Sequence, residues 1–465
     1  MEKTPQASSD GSADVSSAGL PRVLGAGEAI AIVIGTVIGS GIFLIPSEMM
    51  RDTGSSQLVY LAWIVGGLLS LFGAMTYAEL GTMMPYAGGE YVYLRGAYGD
   101  TAGFLYMWTW FTVAKPGSIA TVAVGLARTL EFFPALSHLA DPIPGMPFSM
   151  KWSQLFAIFI TWLMTGLNYL GIKKAGDFQL VSTALKAVLI LVVATLCFFA
   201  PSGSWSHFLT SLPHAISGWN GFMLALIATL WAYDGWSDLT MVAGEVRRPE
   251  RNIPIALIGG LLAVAVLYMA TNAAIQYVLP AGAIAASPLP AVAALRVVAG
   301  ARGAEIVAAA MAVSILVALN GTVMSGARVP YAASLDGLFF RRFGRVHPHF
   351  RSPSTSLVAQ GLVSTLLLLF LNQFEKLLDL TVFAEWLFYA LAASTVFVYR
   401  RKLPDATRPY RVWGYPVLPA IFVGSAAVVL VASFAGNLKG SLIGTALILS
   451  GLPVMWLIRR QRATR

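Results

Sequence analysis

The sequence predicts an all-α membrane protein with twelve transmembrane helices, on three observations. Apolar residues make up 57% of the chain and charged residues 11%, against roughly 45–50% and about 25% in soluble domains. The apolar residues gather into stretches close to the ~20 that a helix needs to cross a bilayer. Two of those stretches are interrupted at mid-depth by small and polar residues, Gly39-Ser40-Gly41 and Tyr233-Asp234-Gly235. A spanning helix gains nothing structurally from such a break, and the backbone groups it frees must find other partners.

Taken in order, the spans lie at about 26–50, which holds the first break, and 57–84. A third, at 101–133, is long enough to need tilt and is interrupted by Lys115-Pro116. Spans follow at 153–171 and 178–200, and the span at 220–243 holds the second break. The remainder lie at 254–278, 303–329, 355–372, 377–399, 414–435 and 440–458. Residues 1–22 are rich in Ser, Ala, Gly and Asp and carry no apolar signal-peptide core, so they read as a disordered cytoplasmic tail. Residues 23–200 and 201–402 then hold five helices each, and 403–465 hold helices 11 and 12 with the C-terminus. Five being odd, the two groups have opposite orientation, as an inverted repeat requires. The breaks fall in the corresponding helices 1 and 6. Paired breaks of this kind mark a binding site at the bilayer midplane and are the signature of a secondary transporter.

The positive charge has a topological explanation. Most of the 31 Lys and Arg lie in segments that share one side, including Lys173, Lys174, Arg247, Arg248, Arg341, Arg342, Arg400 and Arg401. The opposite side holds Arg51, Arg128, Lys151, Arg296, Arg302, Lys376 and Lys439. This bias places both termini in the cytoplasm, and no soluble basic module exists to bind nucleic acid. Other classes are excluded in turn. No G-x-x-x-x-G-K-[ST] loop supports an ATP-driven pump. All five histidines fall in loops, so an intramembrane enzyme lacks clustered catalytic groups. No cofactor or metal is expected. The one cysteine, Cys197, lies within an apolar run and can form no intrachain disulfide.

The candidate residues gather at the breaks. If the helix stops at Gly39-Ser40-Gly41 and restarts near Ile42, the amides there form a helix N-terminus suited to a carboxylate. Close packing of small residues at Gly35 and Gly39 is the competing explanation. Carbonyls around Ala228 to Trp231 would suit an ammonium group, and Trp231 or Trp236 could cover it. Together these describe a receptor for the zwitterionic end of an α-amino acid. Lys186 sits about nine residues into its helix, roughly 13 Å deep at 1.5 Å per residue, so it faces the bundle interior. It reads as a permanent cation in place of sodium, as a titrating group, or as half of an ion pair with a carboxylate. Lys115 reads as solvating carbonyls freed by a kink at Pro116. Ser314 and Asn320 are polar groups on helix 8 that could line the cavity or bond neighbouring helices. Glu79 and Glu245 lie beside Arg-rich loops and read as gate or structural ion pairs. The segment 330–354 reads as an interfacial helix with topology charges.

At this point the motifs resemble those of the amino acid–polyamine–organocation superfamily, and most closely bacterial members of its L-type amino acid transporter family. They are Gly35-Thr36-Val37-Ile38-Gly39-Ser40-Gly41-Ile42-Phe43, Tyr77-Ala78-Glu79-Leu80-Gly81, Pro85-Tyr86-Ala87-Gly88-Gly89-Glu90, Lys115-Pro116, Trp231-Ala232-Tyr233-Asp234-Gly235-Trp236 and Gly244-Glu245-Val246-Arg247-Arg248-Pro249. The resemblance implies a LeuT-like fold working by alternating access without sodium. It places a substrate carboxylate on the amides of Ser40, Gly41 and Ile42, with Gly39 beside them. The amino group falls on carbonyls near Ile38 and Trp231, with Tyr233, Asp234 and Gly235 around it. It implies Trp231 as the gate, Lys186 in place of sodium and Asn320 at the substrate. Animal members carry an external cysteine that bridges to a glycoprotein partner; this chain has none there, so no disulfide-linked heavy subunit is expected.

The expected function is therefore sodium-independent exchange of neutral L-amino acids, small to medium side chains favoured, in the bacterial cytoplasmic membrane. A proton-coupled symporter with Lys186 as titrating group is the alternative, and a channel or membrane receptor is the alternative of another class. Asp234 would favour a cationic side chain if it points inward, an orientation that the sequence does not fix.

Overall fold

In a bilayer each backbone N–H and C=O must be satisfied within its own segment, which selects helix for a chain this apolar. The computed structural model describes residues 20–39, 41–145, 150–212, 216, 218–370, 374–436 and 438–463. Among them the regular structure is helical, with only isolated β-bridges. Among the described residues, six helical runs are long and apolar enough to cross a membrane: Ser56–Met83, Ile172–Phe198, Pro249–Val278, Pro290–Leu335, Val417–Ala435 and Leu438–Ile458. Large apolar side chains such as Phe159, Val181, Val266 and Leu362 point outward from the bundle, as a lipid-facing surface requires and a soluble surface avoids.

The segment 26–50 is two helices, α1 (Ala26–Val37) and α2 (Gly41–Thr53). After α3 (Ser56–Met83), a short helix α4 (Glu90–Tyr98) fills what the hydropathy pattern gives as a loop. Then α5 (Asp100–Thr109) runs through a π-helical turn, Trp110–Ala114, into α6 (Lys115–Leu130). Pro116 was expected to kink this helix. Instead the register widens by one residue: Lys115 donates its backbone N–H to Trp110 where Pro116 has no N–H to give to Thr112. Next come α7 (Trp152–Tyr169) and α8 (Ile172–Phe198).

The second broken segment consists of α9 (Gly218–Ala232), a turn, and the single helical turn α10 (Asp238–Met241). Beyond it α11 (Pro249–Pro254) passes through a second π-helical turn into α12 (Gly260–Val278). The connection expected at 279–302 is itself helical. It holds α13 (Ala281–Ala286) and the first three turns of α14 (Pro290–Gly326), which bends at Ala299 and Gly300. The helix expected to lie at the interface, α15 (Arg328–Leu335), is instead buried along most of its length. The chain ends with α16 (Ser354–Phe370), α17 (Phe374–Lys402), α18 (Val417–Gly436), α19 (Leu438–Leu449) and α20 (Gly451–Ala463). The last two together make up the run Leu438–Ile458, which matches the single span expected at 440–458.

The broken elements lie at the centre. α1 packs against α8, α12 and α14, while α2 packs against α9. α6 and α17 meet each other across from them. At the N-terminus the backbone of Val23 and Leu24 bonds to Glu245, and Leu24 bridges Val246 in parallel.

Candidate functional site

A helix that stops inside a bundle leaves carbonyl oxygens without intrahelical donors. At the end of α1 those carbonyls are met by three side chains from three other helices. Lys186 of α8 donates from Nζ to Gly35 O at 2.9 Å and to Ile38 O. Ser314 of α14 reaches Ile38 O at 3.0 Å and Gly39 O at 3.1 Å. The Tyr268 hydroxyl of α12 reaches Val37 O at 3.0 Å. Lys186 is wholly buried, and its two partners are carbonyl oxygens rather than the carboxylate that an ion pair would need. The Ile38 carbonyl, expected to receive a substrate amino group, already accepts two protein donors. Ser40 lies outside the described residues.

The second break is bound to the first. The Tyr268 hydroxyl also stands 2.9 Å from Ala232 O at the end of α9. Thr36 of α1 donates from Oγ1 to Gly235 O at 2.9 Å. Gly235 takes φ +103°, and a Cβ on it would lie 3.2 Å from the Thr36 backbone. Only glycine fits both the dihedral and the gap. At the first break, a Cβ on Gly41 would lie 3.3 Å from Ala232, so the start of α2 touches the end of α9.

Between the two breaks is a cavity of about 110 Å³, with Gly39, Gly41, Trp231, Asp234 and Gly235 among its lining residues. A Cβ on Gly39 would meet nothing within 4 Å, as expected of a residue that faces the cavity. Ile38 and Ile42 are wholly buried and are not among the residues that line the cavity. Tyr233, placed in the same site from sequence, points the other way. Its ring packs edge-on to Trp63 at 5.8 Å and against Tyr268 at 5.1 Å, facing a separate apolar groove between α3 and α12.

A match to the family model described as amino acid permease spans residues 24–458. The chain belongs to the amino acid permease family. Among curated relatives, the serine/threonine exchanger SteT of Bacillus subtilis is 31% identical over 96% of this chain and 99% of its own. The b(0,+)-type amino acid transporter 1 of Rattus norvegicus is 30% identical over 89% of this chain and 82% of its own. The human cystine/glutamate transporter is 29% identical over 92% and 83%. The protein is thus a multi-pass membrane transporter of the amino acid–polyamine–organocation superfamily, resembling its bacterial L-type members, and not an enzyme.

Four residues of the permease's cavity were missed or misplaced by sequence reasoning. Lys115 does not solvate carbonyls at Pro116; its ammonium pairs with Asp238 at 2.5 Å, both side chains almost fully buried. It also stands 5.2 Å from the Trp110 ring centre. Glu385 and Tyr389 of α17 line the same cavity. The Tyr389 hydroxyl donates to Asp234 Oδ1 at 2.6 Å and lies 3.2 Å from Ser237 Oγ. Glu385 is almost fully buried. Its signal was present in the sequence, because a carboxylate inside an apolar span points to a functional site by default.

Asn320 does not line the cavity. Its Oδ1 accepts from Asn168 at 2.9 Å, and its Nδ2 donates to Gln179 at 2.7 Å and to Ala175 O at 3.2 Å. This is an interhelical cluster joining α7, α8 and α14. Glu79 and Glu245 form the ion pairs expected of them. Arg400 grips Glu79 with two bonds of 2.9 and 2.7 Å, and Arg328 grips Glu245 at 2.8 and 3.3 Å with neither side chain exposed. Among the described residues no cluster of His, Cys, Asp and Glu is arranged to hold a metal ion.

Proposed function

We propose that this permease is a sodium-independent exchanger of L-amino acids that works by alternating access. The single observation behind the reading is Lys186, whose ammonium occupies the carbonyls freed at the end of α1. A monovalent cation would otherwise be needed there to satisfy the same oxygens. The printed names of two relatives, an exchanger and a cystine/glutamate transporter, agree with exchange of amino acids.

In this reading the substrate carboxylate lies on the amides of Ser40, Gly41 and Ile42, and Trp231 closes over it. Since Ile38 O is occupied, the ammonium falls to the carbonyls ending α9 and to Asp234. The fold is a twelve-helix, LeuT-like bundle whose halves, 23–200 and 201–402, are inverted repeats, with 403–465 outside them. Both termini are cytoplasmic, the membrane is the bacterial cytoplasmic membrane, and no disulfide-linked heavy subunit takes part. The small cavity favours small to medium neutral side chains. A second reading, admission of cationic side chains, is favoured by the three carboxylates on the cavity wall.

Counterflow in proteoliposomes tests the proposal. Vesicles loaded with L-serine are expected to accelerate uptake of labelled L-serine equally in sodium and in choline medium. Uptake that needs sodium, or that only a pH gradient drives, would overturn it.

A further inference from the structure

Where α3 and α12 part on the outside of the bundle they leave a groove of about 490 Å³. Its rim is Ile64 and Leu68 of α3 with Leu262 and Val266 of α12, all exposed large apolar side chains. The groove is therefore continuous with the lipid-facing surface. Inside it Gly67, Ala265 and Met269 are partly exposed. Gly67 lies eleven residues into α3, about 16 Å along it at 1.5 Å per residue, near the middle of a hydrocarbon core ~30 Å thick. Water is absent at that depth, and phospholipid headgroups stay at the interface. What the bilayer offers there is hydrocarbon. Behind these residues stand Trp63 and Tyr233, both wholly buried. Gly67 admits Tyr233 to this layer, since a Cβ there would stand 3.0 Å from Tyr233 Oη. Among the described residues neither Tyr233 Oη nor Trp63 Nε1 has a hydrogen-bond partner, so packing holds both rings in place. An unfilled groove withholds contacts from one side of that layer. The layer reaches the pivot of the two breaks, because Trp63 packs edge-on to Tyr268 at 5.1 Å, whose hydroxyl stands at Val37 O and Ala232 O.

We propose that one acyl chain of a membrane phospholipid binds in this groove and braces the aromatic layer behind the two helix breaks. The chain enters from the bilayer between Leu68 and Val266, packs on Gly67, Ala265 and Met269, and leaves its headgroup at the interface. It supplies the contacts that the groove withholds from Trp63 and Tyr233, and through Trp63 it steadies Tyr268. The turn that follows α9 carries Tyr233 on this side and Asp234 on the cavity side. A filled groove therefore holds the back of the same turn whose front meets the cavity, and transport depends on a chain slim enough to enter.

The test reads Trp63 fluorescence in the purified full-length protein, reconstituted into dioleoylphosphatidylcholine vesicles. In one set the oleoyl double bonds carry bromine, which quenches a nearby indole from the middle of the chain. Subtracting the emission of Trp63→Phe isolates Trp63. Its emission is expected to fall by more than half in brominated vesicles, and by less than a tenth once Ala265→Phe fills the groove. Ala270→Leu takes its place if that variant does not fold. No quenching in the wild type, or equal quenching in the filled variant, overturns the proposal. Quenching that appears only as the protein is diluted in lipid shows a second copy seated over the groove and also overturns it. Serine counterflow tests the bracing. Wild-type uptake is expected to slow several-fold in diphytanoylphosphatidylcholine, whose methyl branches thicken the chain, while the filled variant runs equally fast in both lipids. The same lipid dependence in both proteins overturns the bracing. The quenching needs no transport, so it decides for the groove whether or not the protein exchanges amino acids.

Discussion

At the scale of single residues, depth in the span is what made Lys186 legible. An ammonium some nine residues into an apolar helix has to face the bundle interior, and it does. Its partners were not legible, because carbonyl acceptors leave no trace in a sequence. Removing the side chain takes the Lys186 donor from the buried Gly35 oxygen and leaves Ile38 O to Ser314 alone, at roughly 1–3 kcal/mol for an unsatisfied group. Lys186→Ala is therefore expected to reduce counterflow to background and to lower the apparent Tm by a few degrees, with a monodisperse profile on size exclusion. Wild-type rates in that variant would remove the case for a sodium substitute. Lys115 misled because Pro116 beside it suggested a local role. Its real partner, Asp238, lies 123 positions away in the chain, and no periodicity reports such a pairing. Tyr233 and Asp234 are neighbours on opposite sides of one wall, and only the turn after α9 decides which of them meets the cavity.

At the scale of elements, the two breaks were the most readable features, since Gly and Asp inside apolar spans contradict the spans they interrupt. What replaced the expected kink at Pro116, a π-helical turn, was not readable, because a kink and a widened register satisfy the same missing N–H. The turn joining α9 to α10 depends on Gly235 at φ +103°. A side chain there meets both an unfavourable dihedral and the Thr36 backbone, at a cost of roughly 1–3 kcal/mol. Gly235→Ala is expected to depress the apparent Tm by several degrees and to weaken counterflow. Gly39→Ala, whose added carbon meets nothing within 4 Å, is expected to keep the Tm and to raise KM by filling part of the cavity. Thermal unfolding of both variants side by side checks the pair, and equal losses would refute the packing argument.

At the scale of the whole molecule, hydropathy carried the helical class, and the distribution of Lys and Arg predicts an orientation. The helices α4 and α13 escaped because they are short and lie between spans, where composition resembles loop. The orientation is testable with the chain's own economy of thiols. Cys197 is buried, so in a Cys197→Ala background a new cysteine reports its side of the membrane. Ser137→Cys and Arg342→Cys both sit at exposed positions. The first is expected to react with a membrane-impermeant maleimide in intact cells, and the second only after the membrane is opened. The reverse pattern would invert the topology.

The Tyr268 hydroxyl has one proton to give, yet it stands within reach of Val37 O and Ala232 O, the ends of both broken helices. Its bond can pass from one end to the other without the total falling. Parting those two ends at the centre of the bundle therefore carries almost no enthalpic penalty from this side chain. What ties the two ends together is Thr36, whose bond to Gly235 O at 2.9 Å has no second acceptor across the gap. Of the side chains that span the breaks, Tyr268 can follow their separation and Thr36 must let go.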